Sequence, residues 1–285
     1  MTTRSSETPA SAFSEREHMV CTVSHLIEDG AAYWVAGGGG PLYATLLAKH
    51  RHAPDAMYAT EDGAIDPRPE VPFRPMGTMM ASRATYRAAS WTTMNGVGDH
   101  AQLGFYDYGI LNSLQIDQFG NINSTVIGPY GEWERRFGGP GGAMTIAASC
   151  WRTILMTDQD KRKFVEQVDF ISSPGFLDGT EGARERVGMP ADTGPYRVVT
   201  PWAMYDFEDR RLRLIARSPW VTVEQILEEC EFPPQVADEI AVLDPPTEEE
   251  LDYYRSQLDP IGQTMDRGNW VVRDENGEYQ IQEIR

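Results

Sequence analysis

Residues 31–60 constrain the fold more than any other stretch. Residues 31–36 form an apolar run of strand length, 37–40 are four consecutive glycines, and Pro41 opens a helix whose apolar face carries Leu42, Leu46 and Leu47. Residues 56–60 are a second short apolar run. Strand, turn, helix, strand is a β-α-β unit, which requires a parallel sheet and a right-handed crossover. Ligands of open parallel sheets bind beyond the carboxyl ends of the strands. The tetraglycine turn and Glu61, which directly follows the second strand, both fall there.

The rest of the chain extends this α/β pattern. Ser14-Glu15-Arg16-Glu17 has capping-box spacing, and Met19, Val20, Val23, Leu26 and Ile27 recur at helical period until Gly30. Residues 108–116, 153–156 and 164–171 read as strands, with turns at 117–120 and 158–163, and 143–150 fits helix or strand by period. Residues 222–230 and 247–258 read as helices, the second with Thr247 and Glu250 at capping-box spacing. Residues 270–281 alternate around Asn276-Gly277, a strong hairpin signal. The expected organisation is a mobile Ser/Thr-rich tail over 1–13, one α/β domain over 14–262 with an open, mostly parallel sheet and helices on both faces, and a C-terminal β-hairpin extension over 263–285.

Charge narrows the partners. The formal net charge is -18, and Lys49, Lys161 and Lys163 are the only lysines. A field of that sign opposes nucleic acid and anionic membrane, although a local arginine cluster can still hold an anion. Cys21, Cys150 and Cys230 lie far apart without C-x-x-C spacing, so neither a disulfide framework nor a zinc site is indicated and a reducing cytoplasm is expected. No apolar run approaches the roughly 20 residues of a membrane span, and residues 1–11 lack an apolar signal core.

The individual motifs are weaker. The run 37–40 sits where a dinucleotide-binding loop would, but lacks G-x-G-x-x-G spacing and has no P-loop lysine, so a tight packed turn is the plainer reading and a nucleotide-containing thioester such as coenzyme A stays open. Glu61-Asp62-Gly63 is ordinary turn chemistry on its own; a carboxylate beyond an apolar strand, with bare glycine backbone nearby, points to acyl chemistry. His50 and His52, two apart, are poorly spaced for shared ligation on a helix, and no metal is expected. Arg135 with Arg136, and Arg184 with Arg186, read as surface pairs or as partners for CoA phosphates or a dicarboxylate. Phe105, Tyr106 and Tyr108 read as core, and Glu248 to Glu250 as a solvated first helical turn.

Several longer segments carry a family resemblance. Residues 115–125 (QIDQFGNINST), 136–143 (RFGGPGGA), 172–179 (SSPGFLDG) and 184–190 (RERVGMP) before Gly194-Pro195 occur in that order and spacing. Together they resemble the β subunit of a family I coenzyme A transferase, closest to the glutaconate branch, over about residues 14–262. The resemblance implies that the acidic residue of a Glu-x-Gly motif after the second strand, here Glu61, is the nucleophile. Asp62 stands in a slot that more often holds Ser or Asn, which puts an extra negative charge beside it. By resemblance, the backbone amides of Gly141 and Gly142 are the candidate oxyanion donors, Asn123 or Asn121 could supply a side-chain amide, and Gly38 and Gly39 would form the wall near the acyl group or thioester.

The implied chemistry suits these residue types. A glutamate needs no general base at neutral pH but is a poor nucleophile in water, so it requires a closed site and a bound acyl thioester. The resemblance implies a ping-pong exchange of coenzyme A between carboxylic acids through a glutamyl-CoA thioester, with coenzyme A as substrate and covalent intermediate and no permanently bound cofactor. It also implies an α-type partner subunit in a hetero-oligomer, and dicarboxylic or branched acyl-CoA and acid substrates. Two rivals on the same scaffold are a CoA-ester hydrolase or carbon–carbon-cleaving (including decarboxylating) enzyme, and a non-catalytic partner subunit; retention of Glu61 favours transfer.

Overall fold

The computed structural model describes residues 8–35, 39–73, 83–262 and 269–282. In chain order, the first half contains strands β1 (Ala12–Ser14), β2 (Ala32–Val35), β3 (Met57–Thr60), β4 (Ala64–Ile65) and β5 (Ser90–Trp91), with helices α1 (Glu15–Ser24), α2 (Gly40–Arg51) and α3 (Met94–Gln102). Strands β6 (Tyr108–Asn112), β7 (Gln115–Ile116), β8 (Ile122–Asn123), β9 (Val126–Ile127) and β10 (Arg135–Arg136) lead to α4 (Ala143–Ser149) and β11 (Arg152–Met156). After α5 (Ala183–Arg186) come β12 (Gly194–Val199), β13 (Ala203–Glu208), β14 (Arg211–Arg217), α6 (Val223–Glu228), β15 (Gln235–Val242), α7 (Glu248–Tyr253), a π turn (Tyr254–Leu258), β16 (Trp270–Arg273) and β17 (Tyr279–Gln282).

The main sheet has the order β15-β14-β13-β12-β11-β6-β2-β3-β4-β5. Its centre, β12-β11-β6-β2-β3, is parallel, and antiparallel pairings begin at β12/β13 and at β3/β4. Because side chains alternate across a strand, β2 feeds two cores. Tyr33 and Val35 join Val20, Leu42 and Leu47 under α1 and α2, while Trp34 joins Val97, Ala101, Ile146 and Ala147 under α3 and α4. Helices therefore cover both faces of the sheet, as expected for an α/β fold.

The capping boxes form as their spacing predicts. The Ser14 N–H donates to the Glu17 carboxylate at 2.7 Å and the Ser14 hydroxyl accepts from the Glu17 N–H at 3.2 Å; Thr247 and Glu250 repeat the arrangement. Glu17 is fully buried and is matched by the Arg255 guanidinium at 2.7 and 2.9 Å, which offsets the cost of burying that carboxylate. Glu250, expected to be solvated, is buried because it serves this cap and meets the His25 imidazole at 2.7 Å.

Other expectations need correction. The tail reading fails for residues 8–13: Ala10 and Phe13 are fully buried, and β1 pairs with β16 to make a three-stranded sheet with β17. Residues 1–7 of that tail lie outside the described residues. Apolar burial of Phe13 against Trp220 and Tyr279 outweighs the entropy of ordering this short segment. The hairpin at Asn276-Gly277 forms, with Gly277 at φ +87°. The run 108–116 is two strands rather than one, and 164–171 is irregular, with a single bridge at Phe164 instead of a ladder. Strands β12 to β15 drew no sequence expectation. The tight turn between β13 and β14 is made by Asp209 and Arg210 at φ +49° and +63°, without the glycine that usually marks such a hairpin.

Candidate active site

The carboxyl end of β3 runs into Glu61-Asp62-Gly63. The Thr60 hydroxyl accepts from the Ala64 N–H at 3.1 Å and donates to the Asp62 carboxylate, which holds Asp62 within the turn. Gly63 has φ +105°, and a Cβ there would lie 2.1 Å from the Thr92 carbonyl oxygen. Only glycine permits the backbone contact that follows, in which the Thr92 N–H donates to the Gly63 carbonyl at 2.9 Å. The turn is thus fixed from both sides, and Glu61 is left to project from it.

Glu61 projects toward the second glycine-rich segment. Its Oε1 lies 3.2 Å from the position a Cβ on Gly141 would take and 3.8 Å from that on Gly142. Gly141 has φ +53°, and a Cβ on Gly142 would also meet Trp34 Cζ2 at 3.3 Å. A side chain at 141 would therefore crowd the carboxylate, and one at 142 would crowd the Trp34 ring. Among the described residues, neither the Gly141 nor the Gly142 N–H is used in a backbone hydrogen bond, and Glu61 has no hydrogen bond or ion pair. A half-buried carboxylate thus lies against the backbone of Gly141 and Gly142, with the Trp34 ring packed beside them.

The two asparagines do not join this group. Asn121 is buried; its amide nitrogen donates to Asp117 at 2.9 and 3.2 Å and to the Leu177 carbonyl at 2.8 Å, while its oxygen accepts from the Gly175 and Leu177 N–H groups. Asn123 is equally buried, donating to Gln115 and the Val126 carbonyl and accepting from the Thr125 and Val126 N–H groups. Both amides are saturated, so the side-chain oxyanion role expected of them is corrected to a structural one: Asn121 ties the 115–126 turn to Gly175 and Leu177, and Asn123 braces that turn internally. Burial raises the Asp117 carboxyl above its ordinary range, opposed by the Asn121 hydrogen bonds.

Gly38 lies outside the described residues. Gly39, at φ +70°, is the N-cap of α2, and its carbonyl accepts from the Tyr43 N–H at 2.8 Å. It lines a cavity on the α1/α2 side of the sheet.

The remaining polar candidates have structural tasks. Arg184 is 4 % exposed and donates to the Pro174, Gly175, Ala147 and Ala148 carbonyls and to the Thr193 hydroxyl, so it clamps the C-terminal end of α4 rather than pairing at the surface. Burial pulls its guanidinium down to about 10. His50 stacks on Tyr253 at 3.7 Å, and His52 contacts the Ile27 carbonyl at 3.1 Å. Tyr106 and Tyr108 are core, but Phe105 is 52 % exposed at the end of its turn. The three cysteines are buried and form no disulfide, and burial raises the Cys150 and Cys230 thiols, the latter to about 11.

Trp34, Thr60 and Thr92 are parts of the site that sequence reasoning missed. Trp34 reads as one more apolar strand residue, and nothing in the sequence places Thr92 against Gly63. Among the described residues, no His, Cys, Asp and Glu cluster could hold a metal, and no helix is long and apolar enough to cross a membrane.

The family model for coenzyme A transferase matches residues 16–229. The chain belongs to the coenzyme A transferase family. It is 33% identical over 255 residues to the B-type subunit of the glutaconate CoA-transferase of Acidaminococcus fermentans, covering 87% of this chain and 93% of that protein. It is 32% identical to the B-type subunit of the 3-oxoadipate CoA-transferase of Pseudomonas knackmussii, covering 86% and 94% respectively. The crystal structure of glutaconate coenzyme A-transferase from Acidaminococcus fermentans superposes with a TM-score of 0.79 at 30% identity, covering 89% of this chain and 97% of that one. The family membership agrees with the segments 115–125, 136–143 and 172–190, which lie within the matched region.

Proposed function

We propose that this chain is the B-type subunit of an enzyme that moves coenzyme A between carboxylic acids, with Glu61 as the nucleophile. The observation that carries the reading is the juxtaposition of the Glu61 carboxylate with the backbone of Gly141, at φ +53°, and Gly142. Glu61 attacks the carbonyl of a bound acyl-CoA, and the tetrahedral oxyanion is met by the Gly141 and Gly142 amides; one such donor contributes about 3 to 4 kcal/mol. Collapse expels CoA thiolate and leaves a mixed anhydride. The thiolate then attacks the glutamyl carbonyl, forming the Glu61 thioester and releasing the first acid. An incoming carboxylate repeats the two steps in reverse, so acid and CoA exchange without net redox change or water.

This reading includes a second, different subunit. Glu61 is only half-buried, and Trp91, Met94 and Met144, all more than half exposed, lie next to Thr92 and the glycine segment. Exposed apolar side chains around an unshielded carboxylate suit a docking face that closes the site against water. Both relatives above are B-type subunits by name, and the acids in their names, glutaconate and 3-oxoadipate, each carry two carboxylates. A dicarboxylic acyl group is the substrate class this supports.

The test is intact mass of the co-expressed complex after exposure to acyl-CoA esters without acceptor, with borohydride reduction as a second trap. The expected result is a CoA adduct on Glu61 that is absent in Glu61→Ala. Accumulation of free CoA or a cleaved product without any adduct, in a Glu61→Gln complex that stays active, would replace this reading with hydrolysis or carbon–carbon cleavage.

A further inference from the structure

The segment that Glu61 meets has few hydrogen bonds of its own. The Gly139 N–H donates to the Ser124 carbonyl at 3.1 Å and the Ala143 N–H to the Pro140 carbonyl at 2.9 Å, but among the described residues the Gly141 and Gly142 N–H groups make no backbone hydrogen bond. The Gly142 carbonyl accepts from the Ile146 N–H at 3.0 Å, which ties that residue to α4. A segment with so few bonds takes its place from what it packs against. For Gly142 that is Trp34: a Cβ there would lie 3.3 and 3.8 Å from Cζ2 and Cη2 of the indole.

Trp34 is buried and stands on β2 between two small neighbours, Ala59 of β3 and Gly109 of β6, which pair with it in register. That contrast in size shapes how α4 lies. Over Gly109 the helix comes so close that a Cβ would fall 2.1 Å from Ile146 Cγ2, whereas at Gly142 the indole holds it off. The ring is braced in turn by α3, where a Cβ on Gly98 would lie 3.9 Å from Cη2, and by Tyr106, with ring centroids 5.8 Å apart. The indole Nε1 is buried without a hydrogen-bond partner, so the ring acts here through its volume. Ala59 is two residues before Glu61, so the strand pair that carries the ring also carries the carboxylate.

We propose that Trp34 is a positioning residue which, resting on the transferase reading, sets the height of Gly141 and Gly142 above the sheet and so their distance from Glu61. Strands hold reacting groups more precisely than loops do, and the ring transfers that precision from β2 to a segment that lacks bonds of its own. A void beneath Gly142 lets the segment settle toward the sheet, because atoms facing a gap lose their dispersion partners. A misplacement of about 1 Å at a reacting centre costs about 10²-fold in rate, without removing contacts to the rest of the acyl-CoA.

Trp34→Phe in the assembled complex removes ring volume and no hydrogen bond. Leu155→Val is the control, since it thins the same core on β11, two strands from β2. Trp34→Phe should lower kcat for acyl-CoA consumption by about 10- to 10²-fold with KM little changed, and should slow formation of the Glu61 adduct in parallel. Leu155→Val should lower the urea midpoint yet leave kcat per folded complex at the wild-type value. Equal slowing in both variants, or wild-type turnover per folded complex in Trp34→Phe, would overturn the assignment. A crystal structure of the Trp34→Phe complex decides independently of any reaction: the separation of Gly142 from Glu61 should change by more than about 0.5 Å, and an unchanged separation sinks the proposal. Slowed acyl-CoA consumption in Trp34→Phe, when the wild type forms no Glu61 adduct, keeps the role of Trp34 and removes the transferase reading, so the two failures are told apart.

Discussion

Two segments that the sequence offers as oxyanion donors meet opposite fates. The Asn121 and Asn123 amides are saturated and buried, and every donor and acceptor they carry braces the 115–126 turn or ties it to Gly175 and Leu177. Among the described residues the Gly141 and Gly142 amides make no backbone hydrogen bond, and the Glu61 carboxylate lies against their backbone. A buried amide group costs free energy unless paired, so a loop far from solvent spends its side chains on itself. A turn at the open end of a sheet can leave donors free for a reacting group. Residue type says what a side chain can do; its surroundings decide whether any capacity is left.

The contrast can be broken by mutation. Glu61→Ala should lower CoA transfer by at least about 10⁴-fold, as expected for loss of a covalent nucleophile, while the urea midpoint of the complex stays close to wild type. Normal transfer in that variant would end the nucleophile assignment. Gly141→Ala comes next: the new Cβ falls 3.2 Å from Glu61 Oε1 at a backbone φ of +53°. Displacing the carboxylate should cost about 10²-fold in kcat with KM for the acyl-CoA little changed.

On the saturated side the readout should switch from rate to stability. Asn121→Ala leaves the Asp117 carboxylate and the Gly175 and Leu177 N–H groups short of partners. A loss of about 3 kcal/mol in urea unfolding is expected, with kcat per folded complex unchanged; a normal midpoint with slow turnover would reverse the comparison.

The smallest expected effect is a pH dependence away from both segments. His18 is fully buried between Phe13 and Trp220, its Nδ1 3.1 Å from the Pro201 carbonyl, and burial lowers its imidazole to about 4. The unfolded chain, with a histidine near 6.5, then binds more protons than the folded one between those values. His18 therefore makes stability fall as pH drops from about 6.5 to about 4, by up to a few kcal/mol. Raised carboxyls at Glu15 and Asp117 act in the opposite sense over the lower part of that window. His18→Gln should flatten the melting temperature between pH 6.5 and 5; an unchanged slope would show that another group carries it.

The β2-α2-β3 unit at the parallel centre of the sheet was legible because its elements state their periods locally, and Gly30 and Pro41 punctuate them. The antiparallel flank was not. Its hairpin turn uses Asp209-Arg210, held at positive φ by pairings on either side instead of by a permissive residue. Residues 8–13 misread for a related reason, since their polar composition says nothing of the apolar slot that Trp220 and Tyr279 build for Phe13.

By itself, then, the sequence determined the fold class, the capped helices, the C-terminal hairpin and a carboxylate placed just beyond a parallel strand. Those are properties of neighbouring residues, fixed by local sterics and by apolar periodicity. Only the tertiary structure decided that Glu61 meets residues 141 and 142, that Gly63 admits Thr92, that the asparagines are used up and that Trp34 lies against Gly142. Each depends on segments distant in the chain, and proximity between them is set by how the sheet orders its strands, which no local pattern encodes.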